Sequence, residues 1–523
     1  MRKIALLLML WSLSVGATAY TDFYVQTTGN NLNAGSTADD SAPLTYAQLR
    51  SLAQYVQTEF NRIGIGRNDR VALVLPNGAD MASSFITVAS CCTSAPLNPA
   101  YRADEFEFYL NDLNAQALVV EQGSSSPAVE VARKMGIALV ELVPTPEHGA
   151  GSFTLNLAGF PSRAAQHPGP AHADDVALVL HTSGTTSRPK IVPLTHRNVT
   201  ASARNIANST RFTEADRGLN VMPLFHIHGL IAGILAPLSR GGEVHCTSGF
   251  NALKFFSQVD AVKPSWYTAV PTMHQAILSR AANNQDVIAR VPLRFIRSSS
   301  SSLPPQVLAE LEATFKAPVI EAYGMTEAAH QMACNPLPPG QRKPGTVGLA
   351  AGPEIAIMSP EGELLSTGST GEIVIRGDNV TPGYENNEKA NGEAFTNGWF
   401  RTGDQGALDA EGYLSITGRL KEIINRGGEK ISPREVDEVL MDHPAVAQVV
   451  CFGMPHDKLG EEVAAAVVLR EGITATEKEL RDYTATRLAD FKVPRKILLM
   501  DEIPKGATGK LQRIGMAQKL GLA

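Results

Sequence analysis

The chain has 523 residues, of which 44% are hydrophobic, 19% charged and 6% aromatic. That make-up can fill a buried core and excludes disorder, collagen and coiled coil as descriptions of the whole; at roughly 100–200 residues per domain there is room for about three structural units. Lys and Arg number 46 against 52 Asp and Glu, a formal charge of −6, so no nucleic-acid partner and no anionic lipid surface is expected.

At the start, Arg2 and Lys3 precede the apolar run Ile4 to Trp11, and Ala17-Thr-Ala19 resembles a small-residue cleavage site. That is the form of a secretory signal, and it is too short to anchor in a bilayer. No other stretch reaches the ~18 uninterrupted apolar residues of a membrane helix, so no membrane span is expected. The five cysteines, Cys91, Cys92, Cys246, Cys334 and Cys451, are scattered and form no CxxC pair. They point to a reduced compartment rather than to a disulfide framework or a thiolate zinc site.

From Leu44 onward, strand-like and helix-like stretches alternate. Arg70 to Pro76, Ala117 to Val120, Val176 to Leu180 and Ala317 to Ile320 are short apolar runs that read as buried strands, with helical spacing between them, as in βα units on a mostly parallel sheet. Past about Gly345 the pattern turns to Gly- and Pro-punctuated strands, Gly371 to Arg376 and Gly412 to Ile416. Near Arg419 it changes again, and Ser432-Pro-Arg-Glu435 has the form of a capping box opening a helix. The expected organisation is α/β. Residues 1–43 form a divergent, signal-like segment. Residues 44–418 form a large body of mostly parallel sheets with helices and a β-rich subdomain, and residues 419–523 a small, mobile α+β domain.

Between the run ending at Leu180 and a possible helix cap at Thr195 lies a dense set of hydroxyls with one glycine and one lysine. Backbone N–H groups and hydroxyls in such a turn can surround phosphate oxygens. By composition alone a Ser/Thr-rich surface loop fits as well, and the Walker spacing is absent. Thr182-Ser-Gly-Thr-Thr-Ser-Arg-Pro-Lys190 resembles the nucleotide loop of the adenylate-forming (AMP-binding) superfamily of acyl-CoA synthetases, luciferases and adenylation domains. Four further motifs follow in that family's order: Glu321-Ala-Tyr-Gly-Met-Thr-Glu327, Trp399-Phe-Arg-Thr-Gly-Asp404, Gly418-Arg-Leu-Lys-Glu-Ile-Ile-Asn-Arg-Gly-Gly428 and Pro504-Lys-Gly-Ala-Thr-Gly-Lys510.

The resemblance implies an enzyme that activates a carboxylic acid as an acyl-adenylate and passes it to coenzyme A, with ATP, Mg²⁺ and coenzyme A as its small molecules. It implies Lys510, Glu327 and Thr186 as catalytic groups, with Glu327 holding Mg²⁺. ATP is expected to be held by Thr182, Ser183, Gly184, Thr185, Thr186, Ser187, Arg188, Pro189, Lys190, Ser300, Glu321, Ala322, Tyr323, Thr326, Asp404, Arg419 and Lys510. Lys421 takes the hinge position, and Gly427, Gly428 and Glu429 face coenzyme A. The family usually has Gly after its Pro-Lys. This chain has Ile191, so the backbone there must avoid glycine-only angles.

For the acid, Pro223 to Gly229, the run Arg297 to Leu303 and Thr326 to Met332 are similar to the oxalate–CoA ligases of plants and fungi. His226, Ser300 and His330 fall where that group contacts oxalate; His226 and His228 also read as packing or helix-end residues. Imidazoles and hydroxyls suit a small second carboxylate better than an alkyl chain. A 4-coumarate-like or medium-chain fatty acyl-CoA synthetase, and a stand-alone enzyme loading a carrier protein, are the alternatives. Because ATP and coenzyme A are intracellular, a cytoplasmic protein with an altered or mis-started N-terminus is expected, and export if the signal-like segment is genuine. Oligomeric state is not legible.

Overall fold

The computed structural model describes residues 43–182, 189–505 and 511–523. The signal-like stretch therefore lies outside the described residues. So do Ser183, Gly184, Thr185, Thr186, Ser187 and Arg188 of the nucleotide loop, and Lys510.

Two seven-stranded sheets build the body. In the first, Ala138–Pro144, Ala117–Glu121, Arg70–Val74, Thr93–Pro96 and Val176–His181 lie parallel in that order, and Phe153–Asn156 and Ile191–Thr195 close its edges antiparallel. In the second, Val319–Met325, Phe295–Ser299, Trp266–Ala269, Arg217–Asn220 and Glu243–Cys246 run parallel, flanked by the antiparallel His330–Cys334. Their interior positions are buried on both faces and mostly apolar, as parallel strands covered by helices require, with Thr268 and Arg297 among the buried polar exceptions. A third, antiparallel sheet carries Gly371–Arg376, Trp399–Leu408 and Leu414–Arg419. The small domain has a sheet of its own, with Gly460–Leu469 at its centre and Val446–His456 along one edge. The expected α/β body, β-rich subdomain and small α+β domain are all present.

Local expectations shift where chemistry intervenes. The strand expected at Ala317 to Ile320 begins at Val319, just after Pro318, which has no N–H for the ladder, and runs on through the motif to Met325. Gly412 is a turn residue with φ 85°, and its strand starts at Leu414. The capping box at Ser432 is only half made. Ser432 accepts from the Glu435 N–H, but the Glu435 carboxylate turns to Lys492 Nζ at 2.7 and 2.8 Å. Thr195 does make a reciprocal box, with Asn198, at the start of the helix His196–Ser209. All five cysteines are buried and unbridged. Among the described residues, no helix is long and apolar enough to cross a membrane.

The Thr195 cap closes the far end of the strand that begins at Ile191, four residues on from the loop exit, so its loss should be felt in the fold rather than in the chemistry. Thr195→Ala is expected to lower unfolding free energy by about 1 kcal/mol, read as a lower urea midpoint with an unchanged slope.

Candidate active site

The candidate side chains gather at the carboxyl ends of the parallel strands of the second sheet, where ligands bind in open α/β sheets. Trp266–Ala269 delivers Thr268, Phe295–Ser299 delivers Arg297 and leads into Ser300, and Val319–Met325 delivers Tyr323. The next turn, Thr326–Ala328, carries Glu327, and the chain then doubles back antiparallel from His330.

The mouth of the nucleotide loop is closed by its own ends. Thr182 N–H donates to the Lys190 carbonyl at 2.9 Å, and Lys190 N–H donates to Thr182 Oγ1 at 3.1 Å. Ile191 is an ordinary buried strand residue paired with His181, and its carbonyl accepts from the Glu385 N–H. Replacing the family's glycine therefore anchors the loop exit in apolar packing without strain. Pro189 lies just before that exit. Lys190 Nζ sits 4.2 Å above the ring of Tyr384, whose hydroxyl donates to Glu327 Oε1 at 2.8 Å. Burial pushes the Glu327 carboxyl above its usual range, while the Tyr384 hydroxyl and the charges of Arg419 and Lys190 pull it back. One nearly buried carboxylate with no three-ligand cluster around it among the described residues fits a hard ion that draws most of its ligands from phosphate and water, as Mg²⁺ does.

A second group forms where the third sheet meets this edge. Tyr323 donates its hydroxyl to Asp404 Oδ2, and Arg419 Nε pairs with Asp404 Oδ1 at 3.2 Å. Asp404 and Arg419 are register partners on adjacent strands. The charge of Asp404 raises the Arg419 guanidinium, and burial, with Asp404 beside it, holds the Tyr323 phenol neutral. Three members of the expected nucleotide set are thus in direct contact. Ala322 contributes its carbonyl to the Ser299 hydroxyl at 2.8 Å, and Thr326 opens the turn that carries Glu327.

Glu321 sits apart from this group. Its carboxylate is buried and accepts from the Leu303 N–H at 2.9 Å through Oε1, while Oε2 has no partner among the described residues. Burial pushes its pKa up to about 7, against the pull of Arg434 across the domain joint.

The third group is cationic. Arg297 is fully buried. Its Nη1 lies 3.3 Å from His228 Nε2 and its Nη2 3.2 Å from His330 Nε2; Nη2 also donates to Gln331 Oε1 at 3.2 Å. His228 Nε2 stands 2.7 Å from Thr268 Oγ1 and its Nδ1 3.0 Å from Ser300 Oγ, and the rings of His228 and His330 stack at 4.9 Å. Burial pulls the Arg297 guanidinium down to about 10, which leaves it a cation at neutral pH. Ser300 (φ 75°) and His330 (φ 101°) both hold left-handed backbone angles unusual outside glycine, the kind of strain that collects at functional sites.

Sequence reasoning placed Ser300 and His330 in this group. It chose His226 for the acid and left His228 as a packing alternative. His226 is half-buried and accepts from the His228 N–H at 3.3 Å, whereas it is His228 that joins Arg297. The signal that could have found it is the His-x-His spacing together with an arginine in a strand that otherwise reads as apolar. Lys421 lies exposed in the turn between body and small domain, and Gly427, Gly428 and Glu429 are exposed on a hairpin of the small domain.

Residues 24–385 match the AMP-binding enzyme family, and residues 435–510 its C-terminal domain. The chain is 46% identical over 486 residues to an oxalate–CoA ligase of Arabidopsis thaliana, covering 91% of this chain and 93% of that one. It is 43% identical over 505 residues to an oxalate–CoA ligase of Saccharomyces cerevisiae, covering 91% and 92%. Among solved structures, ATP-bound MatB from Rhodopseudomonas palustris is similar, with TM-score 0.81 and 28% identity over 93% of this chain and 96% of that one.

The raised pKa of Glu321 has a definite sign. Its folded value, about 7, exceeds the unfolded 4.5, so the folded protein binds the extra proton. That stability is present below pH 4.5 and is lost as pH rises to 7. Glu321→Gln keeps the acceptor for Leu303 and removes the charge. It is expected to match wild type near pH 4.5 and to exceed it by roughly 3 kcal/mol at pH 8, measured by urea unfolding across that range.

Proposed function

Because the chain belongs to the AMP-binding enzyme family and is an AMP-forming acid–CoA ligase, we propose that its acid is oxalate: oxalate, ATP and coenzyme A give oxalyl-CoA, AMP and diphosphate. A carboxylate resists nucleophiles because its charge is delocalised over two oxygens. One of its oxygens attacks the α-phosphorus of ATP, diphosphate leaves, and the resulting mixed anhydride carries AMP as a good leaving group. The thiol of coenzyme A then attacks the acyl carbon. Most of the protein's work is positioning and charge stabilisation.

The observation that carries the choice of acid is the Arg297, His228, His330 and Ser300 cluster. An alkyl chain set against it would leave the buried Arg297 cation without a counter-charge and the Ser300 hydroxyl without an acceptor, at about 1–3 kcal/mol for the hydroxyl and more for the charge. A compact dianion uses them. The names of the plant and yeast relatives point the same way.

In this reading Thr182 and Lys190 frame the phosphates, Glu327 holds Mg²⁺, Asp404 and Arg419 meet the ribose beside Tyr323, and Lys510 stabilises charge on the departing diphosphate. Mg²⁺, when bound, neutralises phosphate charge. The cytoplasm supplies both ATP and coenzyme A.

Purified protein is expected to exchange labelled pyrophosphate into ATP in the presence of oxalate, and to require coenzyme A for net turnover. Saturation by millimolar octanoate without response to oxalate would overturn the assignment. Lys510→Ala is expected to slow adenylate formation about 100-fold or more and to leave thioester formation from supplied acyl-adenylate nearly unchanged. An equal loss in both half-reactions would remove Lys510 from this role.

A further inference from the structure

Arg297 presents an unusual combination: a fully buried guanidinium that makes no ion pair with a carboxylate among the described residues. Four of its neighbours in the fold are His228, His330, Gln331 and Thr268. Three of these accept its protons, Thr268 shares the acceptor His228 Nε2, and none bears a negative charge. Its Nε has no hydrogen-bond partner among the described residues. A buried charge is kept only when something compensates it, and since none of the described residues supplies that anion, a bound acid is suited to do so.

The contacts also decide how the two imidazoles are protonated. A guanidinium can only donate. Its Nη1 faces His228 Nε2 at 3.3 Å and its Nη2 faces His330 Nε2 at 3.2 Å, so both Nε2 atoms are acceptors and both rings carry their proton on Nδ1. The Thr268 hydroxyl, 2.7 Å from His228 Nε2, adds a second donor to the same lone pair. His228 Nδ1–H then donates to Ser300 Oγ at 3.0 Å. The Ser300 oxygen having accepted that proton, its own O–H is left to donate outward, and Ser300 is only half-buried.

Resting on the oxalate reading above, we infer that Arg297 is the positioning residue for the second carboxylate of the acid: its guanidinium fork sets His228 and His330 as neutral Nδ1–H donors and places a fixed positive charge behind them. The path Arg297 to His228 to Ser300 polarises each donor in turn, because every bond is driven by the cation at its root and lies in a water-poor interior. His330 is the parallel branch. Specificity for a diacid follows, since a monoacid leaves the cation uncompensated and gives the polarised Ser300 O–H no carboxylate to meet. Lysine cannot substitute fully, because one ammonium cannot address two ring nitrogens in a plane as the fork does.

Three measurements test this. Spectra of ¹⁵N-histidine-labelled wild type, assigned with H228Q and H330Q, should show both rings as the Nδ1–H tautomer without any substrate. An Nε2–H tautomer or an imidazolium at either position would overturn the positioning role, whatever acid the enzyme uses. In R297M the KM for oxalate is expected to rise about 100-fold, with the KM for ATP unchanged and propionate-driven pyrophosphate exchange retained or improved. R297K should recover about tenfold of that loss in oxalate KM. An unchanged oxalate KM in R297M, or an equal fall in kcat for oxalate and propionate at constant KM, would refute the inference. Should R297M fail to fold, R297K carries the test: it must raise oxalate KM over wild type while sparing ATP. A wild type that shows the tautomers but ignores oxalate would sink the oxalate reading alone.

Discussion

One hairpin register holds the site together. Met325 pairs with His330 and Gly324 with Gln331 as Val319–Met325 turns back into His330–Cys334, and the ladder slips between Tyr323 and Gly324. A Cβ at Gly324 would lie 1.8 Å from the His330 carbonyl oxygen, so no other residue lets the strands approach this closely. That approach sets Tyr323 on one side of the turn, Glu327 at its apex and His330 on the other. The nucleotide groups and the acid groups thereby share one wall, which a reaction between a carboxylate and an α-phosphate demands. The strain at Ala329 and His330, both at positive φ, is held in place by the ladder on either side and by Asn379, whose amide donates to the carbonyls of Ala328 and Gln331 at 2.8 and 3.0 Å.

Along that wall the charges alternate in sign, and apart from the Asp404–Arg419 pair they are not joined in direct ion pairs among the described residues. Asp404 is satisfied by Tyr323 and Arg419, and Glu327 by Tyr384 with Lys190 just beyond the ring. Among the described residues, the hydrogen-bond acceptors that Arg297 meets are imidazole and amide groups. Well-packed hydrophobic residues in place of such charges are often neutral or stabilising, so charges of this kind are weak evidence for stability. They are better explained by polar substrates than by the fold: a cationic end for the acid, and a mixed end where phosphates and a metal ion bring charges of both signs.

Much of the fold was legible because its signals are local. The apolar runs at Arg70, Ala117 and Val176 became parallel strands, and Thr195 became a cap, since periodicity and hydroxyl placement act within a few residues. The contacts among Tyr323, Asp404 and Arg419 followed motifs whose spacing is tied to backbone turns. What could not be read was partner choice over long distances. Glu435 has the position of a capping-box residue, yet Lys492, 57 residues away, claims its carboxylate. His228 and His226 are indistinguishable as letters; only the pairing of Trp266–Ala269 with Phe295–Ser299, which aligns Thr268 with Arg297, makes His228 the one that meets both. Glu321, inside the most recognisable motif, turned out to bind Leu303 across the serine run.

The joint to the small domain extends the same logic to motion. Arg419 is fastened to Asp404 in the body, and its carbonyl accepts from the N–H groups of Glu422 and Ile423 at 2.9 and 3.1 Å. One residue beyond Lys421, the chain is already committed to the other side: Arg513 pairs with Glu422 at 3.3 Å and donates to the Cys451 carbonyl at 2.8 Å, both within the small domain. Only Leu420 and exposed Lys421 lie between these two fixings. The pivot we propose at Lys421, if confined to these residues, would leave Asp404 and Arg419 in place, so ribose contacts proposed for the first half-reaction need not be rebuilt for the second. The contacts such a pivot must break include side chains bonded to backbone carbonyls, Ser432 to Thr417, Arg434 to Ile416 and Gln275 to Ala447. Water can replace bonds of that kind at a net cost of about 0.5–1.5 kcal/mol each, so these particular contacts would oppose the proposed pivot only weakly.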